Sequence, residues 1–144
     1  MNNKSETGVK TSRKIGRYLF IGILALHTLG CYAMGITTLL NPQVAFESGF
    51  QIDYNPELAI IGTIIGMELL FLGSIALLGI IWTRKNKKEG IVAGVAVGVY
   101  MFLFGFAALI FVGETQALIV DSIRGFLTLV FGYMAYQEIK NNKV

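Results

Sequence analysis

Nearly all the apolar side chains of this chain fall into four long blocks, and this segregation limits the fold more than any other feature. The blocks cover residues 18–40, 58–82, 91–112 and 117–136, and each is long enough to cross about 30 Å of hydrocarbon as a helix. Backbone groups inside lipid must be satisfied within one segment, which favours helices, and the period-two alternation of a membrane barrel is absent. We therefore predict an all-α protein, an antiparallel bundle of four transmembrane helices.

The blocks divide the chain into one domain and two short ends. Residues 15–140 form a single predicted membrane domain of four spans, residues 1–14 are expected to be a flexible cytoplasmic tail, and residues 141–144 form a second tail. The first block follows basic residues, as the apolar core of a secretory signal does. It is too long for such a core and has no small-residue cleavage site, so we interpret it as a retained span.

The basic residues predict how the helices are oriented. The connections at residues 41–57 and 113–116 hold no Lys or Arg, and their charged residues are all acidic. By the positive-inside rule, both termini are expected in the cytoplasm and the protein in the cytoplasmic (inner) membrane, with several passes. Because the cations lie at bilayer edges, the net charge of +3 does not indicate a nucleic-acid partner. Eleven of the twelve basic residues lie on the predicted cytoplasmic side: Lys4, Lys10, Arg13, Lys14, Arg17, Arg84, Lys85, Lys87, Lys88, Lys140 and Lys143.

Inside the four blocks, only His27, Glu68, Asp121 and Arg124 carry a full or potential charge. Such groups cost about 2.5–3.5 kcal/mol on insertion scales, so they normally face the protein interior and find partners there. From the helical rise, Glu68 lies about 3 Å to the outer side of the midplane and Arg124 about 4–5 Å to the same side. Asp121 precedes Arg124 by three residues on one helical face. We therefore predict a polar cluster in which Arg124 bridges Asp121 and Glu68, with His27 nearby, around a cavity open to the outer side.

Each of these residues also has a purely structural interpretation. Asp121 with Arg124 is typical of a local ion pair, Glu68 of a protonated, hydrogen-bonded acid, and His27 of a hydrogen-bonded interior residue. With one histidine and one cysteine, Cys31, the chain cannot form a bis-His haem site, a purely His-based metal site or an intramolecular disulfide. We predict no metal ligands and name no catalytic residue, and we do not expect the chain to be an enzyme on its own.

Glycines recur at close to one helical turn in two of the blocks. Small residues at this spacing let a neighbouring helix backbone approach closely, as in many membrane helix pairs. We predict that the second and third spans pack against each other through these glycines, and the alternative is a homodimer seam. The two sets are Gly62, Gly66 and Gly73 in the second block, and Gly90, Gly94 and Gly98 in the third.

The second block contains the pattern G-x-E-L-L-x-x-G-x-x-x-L-L-G between Gly66 and Gly79, after Asn41-Pro42 and before the group Asp121–Arg124–Gly125. With four short spans, these features resemble the DoxX-like membrane proteins and related small bacterial families over residues 15–138. The resemblance implies a four-helix membrane fold in which Glu68 is the special residue. It also implies a link to quinone-related sulfur oxidation, to membrane redox complexes or to chaperone-like roles.

Three kinds of function remain open at this point. The first is an accessory, assembly or redox-associated subunit of a membrane complex, and the second is a quinone-linked oxidoreductase component that works near Glu68. The third is a small transporter or channel, which would need to oligomerise. No cofactor is evident, and quinone is the one class left open. The expected partners are the lipid bilayer and either other membrane subunits or a homo-oligomer.

Overall fold

The computed structural model describes residues 4–49, 52–112 and 115–141, and the chain is all-helical over these residues. The predicted all-α class is therefore confirmed. A π-helical turn, Ala45–Gly49, follows the short helix Pro42–Val44. The helices are α1 (Lys4–Leu40), α2 (Pro42–Val44), α3 (Leu58–Arg84), α4 (Lys88–Val112) and α5 (Thr115–Asn141).

Three helices are long and apolar enough to cross a membrane, within the described part of the chain. They are Ile15–Leu40 in α1, Leu58–Arg84 and Lys88–Ala107, which correspond to the first three apolar blocks. Helix α5 has 27 residues, as α3 does, but it carries more charged and polar groups. The backbone of residues 4–14, which we expected to be a tail, continues α1, and its flexibility stays a prediction.

The four long helices form a ring. Helix α1 packs along α3, and α4 packs along α5, so that each pair makes a hairpin. The two hairpins meet through α3 with α4 and through α1 with α5. Gly16 near the beginning of the apolar part of α1 contacts Met134 near the end of α5, so both helices reach the same end of the ring. We call this the terminal end, and the opposite end the loop end.

Gly62, Gly66 and Gly73 of α3 do not pack against α4 as predicted, and the last two pack against α1. A Cβ added to Gly66 would lie 3.1 Å from the carbonyl oxygen of Gly35, and one added to Gly73 would lie 3.2 Å from Cβ of Cys31. Gly62 faces the ring of Phe46 in the π-helical turn. The predicted pairing of these three with Gly90, Gly94 and Gly98 is therefore wrong, although Gly90 does face α3, at Thr83 and Gly79. Helical spacing identifies a small-residue face without identifying the neighbour that covers it.

Three glycines of α4 face three different helices in turn. Gly90 meets the backbone of Thr83 in α3, Gly94 meets Phe20 in α1, and Gly98 meets Thr128 in α5. A step of four residues turns about 40° around a helix with 3.6 residues per turn. The direction of these glycines therefore moves from one neighbour to the next along α4.

A group of buried apolar side chains lies between the hairpins towards the terminal end. Phe20 and Leu24 of α1 are fully buried there, together with Ile91 of α4 and Ala135 and Ile139 of α5. A second buried group, Cys31, Leu72, Ala76, Val97 and Met101, lies further along the helices. These side chains fill the space between the hairpins over this part of the ring.

The turn between α3 and α4 is a Schellman motif, which also binds α1. The N–H of Lys87 donates to the carbonyl oxygen of Trp82 at 2.9 Å, and the N–H of Asn86 donates to that of Thr83 at 3.0 Å. Asn86 has a φ of 54°, in the left-handed region that asparagine tolerates better than most residues. Its side-chain oxygen accepts a hydrogen bond from the guanidinium of Arg17, so the turn is joined to α1 at the terminal end.

Candidate functional site

Glu68 lies on the side of α3 that faces α4, where its carboxylate meets Tyr100. The Tyr100 hydroxyl donates a hydrogen bond of 2.6 Å to Oε1 of Glu68. This length is typical of a hydroxyl that donates to a carboxylate. Tyr100 lies in the middle of α4, away from the helix ends where aromatic residues act as interfacial anchors. Tyr100 is therefore not placed as an interfacial anchor, and its hydroxyl is the hydrogen-bond partner of the acid.

Glu68 and Tyr100 form the polar part of an open groove between α3 and α4. The groove has a volume of about 270 Å³. Leu72 and Val97 are buried at its floor, whereas Phe71 is exposed at its rim. The groove thus offers a carboxylate and a hydroxyl on an apolar surface outside the ring. Its lining residues are Glu68, Phe71, Leu72, Ile75, Ala96, Val97 and Tyr100.

Arg124 pairs with Asp121 and does not reach Glu68. Its Nη1 lies 3.9 Å from Oδ1 of Asp121, and the side chains are 54% and 16% exposed, respectively. Among the described residues, no ion pair joins Arg124 to Glu68. The predicted bridge is wrong because α3 and α5 lie across the ring from each other, and Glu68 is turned towards α4. The Asp121–Arg124 pair is the local ion pair named above as the alternative.

His27 is an interior residue that joins α1 to α5. It is 3% exposed, and its Nε2 lies 2.9 Å from Oγ1 of Thr128. The Thr128 hydroxyl donates its one proton to the carbonyl oxygen of Arg124 at 2.7 Å. It must therefore accept from His27, which assigns the proton to Nε2 of the imidazole. His27 thus has its own partner, separate from the Glu68 groove.

The Glu68 groove is therefore separate from the other two polar sites, which adjoin each other through Thr128. No metal site is present among the described residues. No group of three His, Cys, Asp or Glu side chains there could hold a metal ion. Cys31 is buried and forms no disulfide, since the chain has one cysteine. Of the four residues predicted to cluster, the structure pairs only Asp121 with Arg124. Glu68 and His27 bind Tyr100 and Thr128, which we did not single out from the sequence.

Glu138 is a further buried acid that the sequence analysis did not identify. Its carboxylate accepts hydrogen bonds from the backbone N–H groups of Gly16 at 2.8 Å and Arg17 at 3.1 Å. It binds these groups where the apolar part of α1 begins, at Ile15. In the sequence, Glu138 looks like an ordinary charged residue just after the last block. The sequence feature that marks this contact is Gly16, where α5 approaches α1 closely. A Cβ there would lie 2.6 Å from Cβ of Met134.

The arrangement can bind a hydrogen-bond donor or a cation at membrane depth, through the carboxylate of Glu68. A ligand carbonyl could accept from the Tyr100 hydroxyl in the same groove. The chain matches no protein-family model, no curated protein and no solved structure. The resemblance to DoxX-like proteins consequently depends on the residues quoted above and on no wider similarity.

Proposed function

We propose that the protein is a DoxX-like, four-span protein of the cytoplasmic (inner) membrane that serves as an accessory, assembly or redox-associated subunit of a membrane complex. In this proposal α5 is the fourth span, which is supported by its 27 residues and its packing between α1 and α4. Both termini are cytoplasmic. The basic residues around the α3–α4 turn and near the helix termini support this orientation.

The observation that carries the proposal is the position of Glu68 on an open groove of a membrane-spanning helix. Exposing a carboxylate to acyl chains is costly, and ionisable groups within spans normally face protein or a water-filled cavity. One hydroxyl, from Tyr100, partners Glu68, while a carboxylate can accept about four hydrogen bonds. A partner helix in the groove would cover the apolar walls and supply the remaining donors.

The quinone-linked alternative is supported by the same groove. Its volume of about 270 Å³ is close to the lower end of the range of small-molecule sites. Glu68 could accept from a quinol hydroxyl, and Tyr100 could donate to a quinone carbonyl. A transporter or channel within one copy has less support, because Phe20 and Leu24 fill the space between the hairpins towards the terminal end.

The test is site-specific photo-crosslinking in native membranes. A photoreactive residue at Ala96, in the groove, is compared with one at Leu29, which is exposed on α1. We expect Ala96, and not Leu29, to crosslink to a transmembrane segment of a subunit that also copurifies stoichiometrically in mild detergent. Glu68→Gln should weaken that copurification. If Ala96 captures only lipid and no stoichiometric partner copurifies, the proposal is wrong.

A further inference from the structure

Arg17 of α1 reaches the turn between α3 and α4 at the terminal end. Its guanidinium donates a hydrogen bond to Oδ1 of Asn86, at an exposed position. Its Cζ also lies 5.8 Å from the ring centroid of Tyr18, which is exposed. A guanidinium has five N–H donors, so the bond to Asn86 leaves most of them available. Arg17 is therefore a positioned cation with unused donors, on the side of α1 that faces α3.

Arg84 lies on the side of α3 that faces α1, close to Arg17. It follows Gly73 by eleven residues, or three helical turns, and Gly73 contacts Cys31 of α1. Since Arg17 binds Asn86, two residues after Arg84, the two arginines lie within about one turn of the same level. Arg84 is exposed and forms no ion pair with the described residues. Two guanidinium groups therefore flank the terminal end of the contact between α1 and α3, which we call the α1–α3 seam.

No carboxylate neutralises these two arginines within the described part of the chain, where the one ion pair belongs to α5. Glu138, the buried acid at this end, binds backbone N–H groups of α1. Glu89, in the first turn of α4, is exposed and pairs with neither arginine. Lys85 and Lys87 in the adjoining turn add two exposed positive charges. This corner of the molecule therefore attracts anions.

On the loop-end side of Arg84, the same face of α3 is apolar. Ile81 and Leu77 precede Arg84 by three and seven residues, so the three share one face of the helix. Ile81 is 39% exposed and Leu77 is 40% exposed. Tyr18 and Trp82 lie at the level of the arginines, and such aromatic rings favour the headgroup zone of a bilayer. The surface therefore has cations at headgroup level and an apolar stripe that continues into the membrane.

We propose that the terminal end of the α1–α3 seam binds an anionic phospholipid, with Arg17 and Arg84 on its phosphate and an acyl chain along Ile81 and Leu77. Arginine suits a phosphate because its planar guanidinium donates two parallel hydrogen bonds. Basic pockets between membrane helices are known to bind acidic headgroups. Inorganic phosphate offers the same group to the arginines, but the apolar stripe beside Arg84 favours the lipid.

The test is lipid binding to the purified full chain in mild detergent, followed by native mass spectrometry. Phosphatidylglycerol and phosphatidylcholine with identical acyl chains are titrated separately. We expect the wild type to retain one phosphatidylglycerol at concentrations at which it retains no phosphatidylcholine. Arg17→Gln and Arg84→Gln should each weaken phosphatidylglycerol binding about fivefold, and the double variant should weaken it by more than about tenfold.

Lys140→Gln is the matched control, because it removes an exposed cation at the same end from α5, across the ring from α3. It should leave lipid binding unchanged. If it weakens binding as much as Arg84→Gln does, the overall charge of this end attracts the lipid and the proposed site is wrong. Equal retention of the two lipids by the wild type would also overturn the inference. Displacement of phosphatidylglycerol by an equal concentration of inorganic phosphate would assign the arginines to a free anion and exclude the lipid.

Thermal unfolding in the same detergent separates lipid binding from folding. Phosphatidylglycerol should raise the unfolding temperature of the wild type and of Lys140→Gln, and it should not raise that of the double variant. Arg17→Gln also loses the bond to Asn86, which lowers stability on its own. Arg84 forms no ion pair with the described residues, so Arg84→Gln alone decides the inference if Arg17→Gln does not fold.

Discussion

Several polar side chains in this protein form a hydrogen bond to a close neighbour from another helix. Tyr100 binds Glu68, Thr128 binds His27, and the backbone of Gly16 binds Glu138. Tyr32 likewise lies 3.0 Å from the hydroxyl of Ser74. Removing one member of such a pair leaves the other without its partner.

The His27–Thr128 pair gives the clearest prediction for a single residue. Thr128→Val keeps the shape of the side chain but removes the acceptor for the buried imidazole, so we expect the free energy of unfolding to fall by about 1–3 kcal/mol. Unfolding in detergent, followed by circular dichroism, measures this change. Thr63→Val is the control, because its exposed hydroxyl bonds only to the carbonyl oxygen of Ala59 in its own helix. Equal stability of the two variants would contradict the role given to Thr128.

At the scale of the helices, close backbone contact between α3 and α4 depends on Gly90. A Cβ at this position would collide with the backbone nitrogen of Thr83 and approach the carbonyl oxygen of Gly79 to 2.8 Å. Backbone atoms cannot move aside as a flexible side chain can. This contact therefore constrains how close the two hairpins are at the terminal end.

We predict that Gly90→Ala lowers the free energy of unfolding by about 1–3 kcal/mol, as overpacking of a core typically does. Gly30→Ala is the matched control, because a Cβ there meets no atom within 4 Å, and it should be neutral or slightly stabilising. Thermal unfolding of both variants in one detergent checks the difference. A Gly90→Ala protein as stable as the control would show that α3 and α4 can separate at little cost.

The sequence predicted the elements better than it predicted their neighbours. Lipid requires helices of a minimum length, so the apolar blocks mark α1, α3 and α4 closely. The period of a helix also shows which residues share a face, and Asp121 does pair with Arg124. A face can be covered by any neighbour in the ring, however, and this choice depends on packing among all four helices. For that reason Gly66 faces α1 instead of α4, and Glu68 binds Tyr100 instead of Arg124.

At the scale of the whole molecule, the positions of the basic residues predict a single orientation in the membrane. Glu47 lies at the loop end and Lys85 at the terminal end, and both are exposed. A membrane-impermeant maleimide should label Glu47→Cys in intact cells, and it should label Lys85→Cys only after the membrane is opened. The wild type is the blank, because Cys31 is buried. The reverse labelling pattern would exclude cytoplasmic termini.

The successive directions of Gly90, Gly94 and Gly98 have a mechanical consequence for the molecule. Each of three helices approaches α4 at a different one of these positions, so sliding or spinning α4 would break several tight fits together. Gly90 meets the backbone of Thr83 at the terminal end, so a displacement of one hairpin against the other that keeps this contact would be a pivot about it. Such a pivot would widen the groove beside Glu68 and leave the contact between Gly90 and Thr83 unchanged.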